Sequence, residues 1–228
     1  MMFIRKDNTI IWKRVLLGAV ITLACVIGGI FWFDKILYPA IHRPDCNIWT
    51  LSEGWLCYSA IIIGKIFSTK VWLFASLFSV LFFFVYKAIR NEFDFRYAFV
   101  KIKNSYVFYV FCSVVLAYVA TGFVKILIGR SRPILFDALG RTYFEPWTFG
   151  YNFNSMPSGH TAVSFAGLVM IGMLFPRIKW LTWSLGIIIA ISRIYVGAHW
   201  PSDVIFGAFV GMICADFVKY ALKKINSK

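Results

Sequence analysis

WLCYSAIIIGKIF, residues 55–67, decides how this chain is threaded. Read as a membrane crossing, it would turn the Lys- and Arg-rich connection 87–103 to the outer side. Its thirteen residues are too few, because an α-helical crossing needs about 20 apolar residues. The stretch therefore reads as a helix lying at the outer interface.

Outward from that point, six apolar runs are long enough to be read as spans: roughly 15–33, 71–86, 105–124, 159–175, 181–197 and 204–221. Several are short and need tilt or snorkelling ends. The chain is 60% hydrophobic and 15% charged, with a mean hydropathy of +0.74, far more apolar than a soluble domain tolerates. The expected fold is all-α: one integral membrane domain over 1–228, with 34–70 as an outer connection holding the interfacial helix. The first span follows a basic end, as a signal sequence does. FWFDK, residues 31–35, offers no small-residue cleavage pattern, so the span is expected to stay as an anchor.

A net charge of +14 suggests nucleic acid only at first sight, because the basic residues are spread between apolar runs and form neither stripe nor tail. They read as topology determinants. Of 24 Lys and Arg, fifteen fall on one side: Arg5, Lys6, Lys13 and Arg14; Lys87, Arg90, Arg96, Lys101 and Lys103; Arg177 and Lys179; Lys219, Lys223, Lys224 and Lys228. The positive-inside rule puts both termini in the cytoplasm.

Three polar islands then meet at the outer face. KILIGRSRP (125–133) supplies Lys125 and Arg132; MPSGH (156–160) supplies Ser158, Gly159 and His160; SRIYVGAHWPSD (192–203) supplies Arg193, His199 and Asp203. Ionisable groups at a span edge are a functional-site hypothesis by default.

A phosphoryl group near its transition state spreads negative charge over its equatorial oxygens and needs fixed cations and backbone donors around it. Lys125, Arg132 and Arg193 fit that task, the arginines by their planar donor fork. The Ser158 and Gly159 amides at a helix start would add donors. A neutral imidazole, His199, can attack phosphorus if a neighbour, Asp203, fixes its tautomer. His160 would protonate the leaving oxygen and then activate water. The scheme needs no metal or other cofactor.

KxxxxxxRP (Lys125 to Pro133), PSGH (Pro157 to His160) and SRxxxxxHxxxD (Ser192 to Asp203) resemble the three signature motifs of the type 2 phosphatidic acid phosphatase superfamily. That family also includes soluble acid phosphatases and vanadium haloperoxidases. The resemblance covers about 105–221. It implies a six-span helical core, an outward-facing site, no metal, His199 as nucleophile with Asp203 as its partner, and His160 as acid and base. Lys125, Arg132, Ser158, Gly159 and Arg193 would hold the phosphate. The substrate class implied is a membrane lipid with a terminal phosphate: undecaprenyl pyrophosphate or lipid A foremost, with phosphatidate and phosphatidylglycerophosphate as alternatives. Two rivals stand beside hydrolysis. A lipid phosphate intercepting the phosphohistidine would make a phosphotransferase, and phosphate-binding basic residues alone would suit a transporter.

The remaining features carry blander expectations. Arg130 and Lys65 read as snorkelling or topology residues, and His42 as surface. The five Cys follow no metal spacing. Cys46 and Cys57 lie on the side that is oxidising for a bacterial inner membrane, which permits a disulfide. Tyr143, Phe144, Trp147, Phe149, Tyr151 and Phe153 suit an interfacial aromatic belt at the site's entrance.

Overall fold

The computed structural model describes residues 3–4, 9–46, 54–90 and 94–226. Arg5, Lys6 and Lys228 of the basic groups lie outside the described residues, as do 47–53 of the first outer connection. The described residues form nine α-helices and no strand. These are α1 (Trp12–Ile41, with a π turn at Gly29–Phe33), α2 (Trp55–Ile66), α3 (Thr69–Arg90), α4 (Phe95–Lys103), α5 (Tyr106–Ile128), α6 (Pro133–Leu139), α7 (Gly159–Leu174), α8 (Lys179–Tyr195) and α9 (Pro201–Asn226).

Local chemistry sets the ends. Asp94 caps α4, Ser105 caps α5 and Ser158 caps α7, each side chain accepting a first-turn amide. Gly129 ends α5 in the left-handed conformation at φ 58°, as a C-terminal glycine commonly does. Pro133 and Pro201 stand at the first position of α6 and α9, where a missing N–H costs nothing.

Five helical segments are long and apolar enough to cross a membrane: Trp12–Ile41, Thr69–Arg90, Tyr106–Ile128, Pro176–Tyr195 and Pro201–Ile225. Their outer sides expose large apolar residues, among them Leu16, Phe31, Phe74, Phe78, Trp180 and Ile187. The chain is an all-α polytopic membrane protein. The expected fourth span, α7, has sixteen residues, about 24 Å at 1.5 Å per residue against a hydrocarbon core of about 30 Å. It is among the short expected spans that need tilt or snorkelling ends, and its apolar character also serves packing. Every residue from Thr161 to Met170 is buried, and α7 packs on α3, α5, α8 and α9 as the central helix.

Small residues let the backbones around α7 approach closely. A Cβ at Gly207 of α9 would stand 2.6 Å from the Ser158 carbonyl oxygen, and one at Gly211 would stand 2.3 Å from that of Ala162. The start of α9 is thus pressed against the start of α7, where the Ser158 amide donates to the Asp203 carbonyl at 2.9 Å.

One expected boundary moves. Residues 34–41, read as loop, continue α1, because no breaker stands before Pro39 and the π turn absorbs the change of face. The stretch at 55–67 is a separate short helix, as expected, divided from α3 at Phe67 and Ser68. A disulfide between Cys46 and Cys57 ties it to the segment after α1. Its buried face (Cys57, Ala60, Ile61 and Gly64) packs on α8.

Candidate active site

The first polar island is shaped by its backbone. After Gly129 the chain runs extended, and its groups are bonded on both sides: Ser131 N–H to the Tyr143 carbonyl at 2.9 Å, Arg132 N–H to that of Asn152 at 2.8 Å, and Ser155 N–H to that of Arg130 at 3.0 Å. A Cβ at Gly129 would meet the Glu145 carbonyl oxygen at 1.7 Å, so no larger residue permits this turn. Arg132 is thereby aimed inward. Its Nε donates to the Tyr151 carbonyl at 3.0 Å and its Nη1 to that of Ala198 at 2.8 Å, while its guanidinium lies 4.1 Å over the Tyr151 ring. Lys125, in the last turn of α5, donates to the Asn154 carbonyl.

The second island starts α7. Gly159 lies against Lys125, whose Cε would be 3.6 Å from a Cβ placed there. The Gly159 and His160 amides are the first two of the helix and have no partner within it. Ser158 corrects the sequence reading: it is fully buried, its amide is taken by Asp203, and its Oγ accepts from the Thr161 hydroxyl at 3.0 Å. It caps the helix, so its amide is not a free phosphate donor. His160 lies among Arg193, Arg132 and Lys125, beside the Gly64 backbone.

The third island spans the turn from α8 to α9. Gly197 at φ 69° reverses the chain, and Trp200, fully buried, donates its Nε1–H to the Ser131 carbonyl at 3.0 Å, locking this turn to the first island. Asp203 is also fully buried. Its Oδ2 accepts from Ser155 Oγ at 2.5 Å and from Trp200 N–H at 3.0 Å. His199 Nδ1 stands 3.8 Å from that oxygen, too long for a hydrogen bond, and has no other partner among the described residues. Arg193 reaches across to α2, donating through Nη2 to the Ala60 carbonyl at 2.7 Å.

All eight residues singled out from the sequence therefore gather at one end of the helices. Burial, and then the charge of Arg132, hold His199 well below its ordinary value, with Lys125 adding to the effect and Asp203 opposing it. The imidazole is neutral there. Burial likewise pulls Arg132 down, offset by Tyr151 and Asp203.

Four participants were not legible from motif spacing. Arg130, expected as a topology residue, is 1% exposed and bridges Asp34 and Asp203 at 2.8 and 2.7 Å. Asp34 carried a signal that could have been used, as an acidic residue closing a long apolar run. Gly64 and Ser155 carried none. Lys65 is exposed, as expected. His42 is not plain surface. Its Nδ1 bonds the Tyr195 carbonyl at 3.0 Å, and its ring stacks on Tyr38 beside a cavity of about 530 Å³ that Arg132 and Tyr151 also line. Of the entrance aromatics, Phe144, Trp147, Phe149 and Tyr151 are exposed.

The family model described as PAP2 superfamily matches residues 106–227. A lipid A 1-phosphatase of Rhizobium johnstonii is 36% identical over 111 residues, 47% of this chain and 46% of that protein. An undecaprenyl-diphosphatase of Sulfolobus acidocaldarius is 39% identical over 104 residues, 43% of this chain and 47% of that one. The chain spans about half the length of the curated relatives it matches. The crystal structure of Aquifex aeolicus LpxE aligns with a TM-score of 0.47 at 22% identity, covering 75% of this chain and 90% of that one.

Proposed function

The chain belongs to the PAP2 superfamily, and from that premise we propose that it is a membrane lipid phosphatase. It removes a terminal phosphate from an envelope lipid, with undecaprenyl pyrophosphate and lipid A as the foremost substrates. One observation carries the reading: His199, held neutral, and His160 stand among Lys125, Arg132 and Arg193 beside the amides that begin α7.

In the first step His199 Nε2 attacks phosphorus, a P–N bond forms, and the bond from phosphorus to the lipid oxygen breaks. His160, protonated once the bound phosphate's negative charge offsets the cations around it, gives that proton to the oxygen and becomes neutral. Asp203 Oδ2 receives the Nδ1–H of the charged imidazole once the ring closes the 3.8 Å gap. In the second step His160 takes a proton from water, the water oxygen attacks phosphorus, and the P–N bond breaks. Phosphate leaves and His199 returns to its neutral state. Lys125, Arg132, Arg193 and the Gly159 amide hold the equatorial oxygens throughout.

The positive-inside count supports both termini in the cytoplasm and a site on the outer face of the inner membrane. There a lipid presents its phosphate while its tails stay in hydrocarbon. The test is phosphate release by the detergent-purified protein, with chelator present, from undecaprenyl pyrophosphate, lipid A, phosphatidate and phosphatidylglycerophosphate. Release that vanishes in His199→Ala, together with a trapped phosphoenzyme in the parent, is the expected result. A fully active His199→Ala protein sinks the mechanism. Appearance of a new lipid pyrophosphate without free phosphate would convert the reading to phosphotransfer.

A further inference from the structure

Asp34 lies on α1, outside all three motifs and outside residues 106–227. It is 1% exposed. Its Oδ1 accepts from the Ser202 amide at 2.9 Å, and its Oδ2 accepts from the Ser202 hydroxyl at 2.5 Å and from Arg130 Nη2 at 2.8 Å. The other arm of Arg130, Nη1, donates to Ser202 Oγ and Asp203 Oδ1, both at 2.7 Å. One guanidinium is thus shared between two buried carboxylates, one of them beside His199.

Two features of α1 bring Asp34 there. The π turn at Gly29–Phe33 inserts an extra residue per turn and rotates everything after it. Gly29 then lets α1 touch the start of α9, since a Cβ at that position would stand 2.4 Å from the Ser202 Cβ. Both act on the turn that ends at Asp34.

Stability alone is a weak reason for this arrangement, because a buried ion pair roughly breaks even against well-packed apolar residues. Its electrostatic consequence is specific. The charged and titratable groups facing His199 are Lys125, Arg132, Asp203 and, behind Asp203, Arg130; His160 and Arg193 complete the site. If Arg130 had Asp203 as its sole partner, its full charge would compete with the imidazolium of His199 for that carboxylate. Asp34 takes the Nη2 arm of the guanidinium and divides that charge.

We propose that Asp34 is a positioning residue that, through Arg130, sets how much of Asp203's negative charge is available to His199, making the first helix part of the reaction that the three motifs carry out. This rests on the phosphohistidine reading above.

The experiment compares the full-length parent, Asp34→Asn, Arg130→Gln and the double variant, with His199→Ala alongside. Asn keeps the shape of Asp34 and can still accept from the Ser202 amide through Oδ1, while its Nδ2, a donor, no longer accepts from Arg130, so both the charge and the hold on the guanidinium are removed. Asp34→Asn is expected to lower kcat about tenfold with KM within about twofold. The acid limb of kcat/KM should move to lower pH, since a negative charge near His199 is gone. The double variant should recover most of the lost kcat, because no unshared guanidinium then bears on Asp203.

An unchanged kcat in Asp34→Asn, or a loss with an unmoved pH profile and no recovery in the double variant, overturns the proposal. If Asp34→Asn does not fold, the charge-free double variant decides. A folded double variant with kcat near the parent supports the proposal, and one at the His199→Ala floor overturns it. An active His199→Ala protein defeats the phosphohistidine reading itself, whereas an inactive one beside a normal Asp34→Asn defeats only this inference.

Discussion

Gly64 of α2 and Arg193 of α8 are in contact so close that a Cβ at Gly64 would stand 1.9 Å from Nη2 of the guanidinium and 2.1 Å from Nη1. The helix therefore uses a missing side chain to seat the Arg193 guanidinium at the candidate site. Ala60, one turn earlier, supplies the carbonyl that holds the same guanidinium at 2.7 Å. Residue 64 is set by a side chain more than a hundred positions away.

Gly64→Ala should displace Arg193 and lower kcat/KM by about 100- to 1,000-fold, the range for losing one transition-state donor. Alanine in place of a helical glycine raises helix propensity by about 1 kcal/mol, so helix destabilisation does not account for such a loss. Phosphate release beside a thermal unfolding curve in detergent checks both halves. A normal rate would mean that Arg193 does not contact the phosphate.

Arg132→Lys should cost about as much although charge is kept, because one ammonium cannot reproduce a planar fork that donates to Tyr151, Ala198 and Asn154 at 3.0, 2.8 and 3.4 Å. Steady-state kinetics with one lipid phosphate distinguishes the outcomes. Parent-like kcat/KM would reduce Arg132 to a point charge.

The pH profile follows from His199. Burial, Arg132 and Lys125 hold it well below its ordinary value against the pull of Asp203, so the neutral, nucleophilic form persists as pH falls through about 6.5, where a free imidazole gains its proton. The acid limb of kcat/KM should therefore lie below that pH. Arg132→Gln should move it upward, since removing a neighbouring cation makes protonation easier. A limb at the free imidazole value in the parent would contradict the buried, neutral nucleophile.

Cys46→Ser/Cys57→Ser should lower stability by about 2–3 kcal/mol, as expected for opening a short closed loop. It should also reduce the rate severalfold, because the disulfide anchors the helix that places Ala60 and Gly64 against Arg193. Thermal unfolding and phosphate release, with and without reductant, test the two effects separately. Unchanged kinetics in the reduced protein would free α2 from any part in placing Arg193.

That Lys125, Arg132, Gly159, His160, Arg193, His199 and Asp203 lie together was legible because phosphoryl chemistry would need those residue types in one place, and the spacing within each island is short enough to read along one helix end or turn. The apolar runs were legible for a similar reason, since hydrocarbon imposes length and composition on whatever crosses it. Boundaries were less so. α1 continues eight residues past Phe33 through a π turn, and hydropathy has no signature for a change of helical pitch.

The sequence by itself determined that the chain is a helical membrane protein with three polar motifs of the PAP2 superfamily, because length, polarity and residue type act locally. Only the tertiary structure decided that Ser158 is a cap, that Arg130 is a buried bridge, that Asp34 bonds Arg130 and that Gly64 lies against Arg193. Those assignments depend on which side chains meet after helices pack, and close packing at Gly29, Gly64, Gly207 and Gly211 is set by pairs of distant residues that neither partner reveals alone.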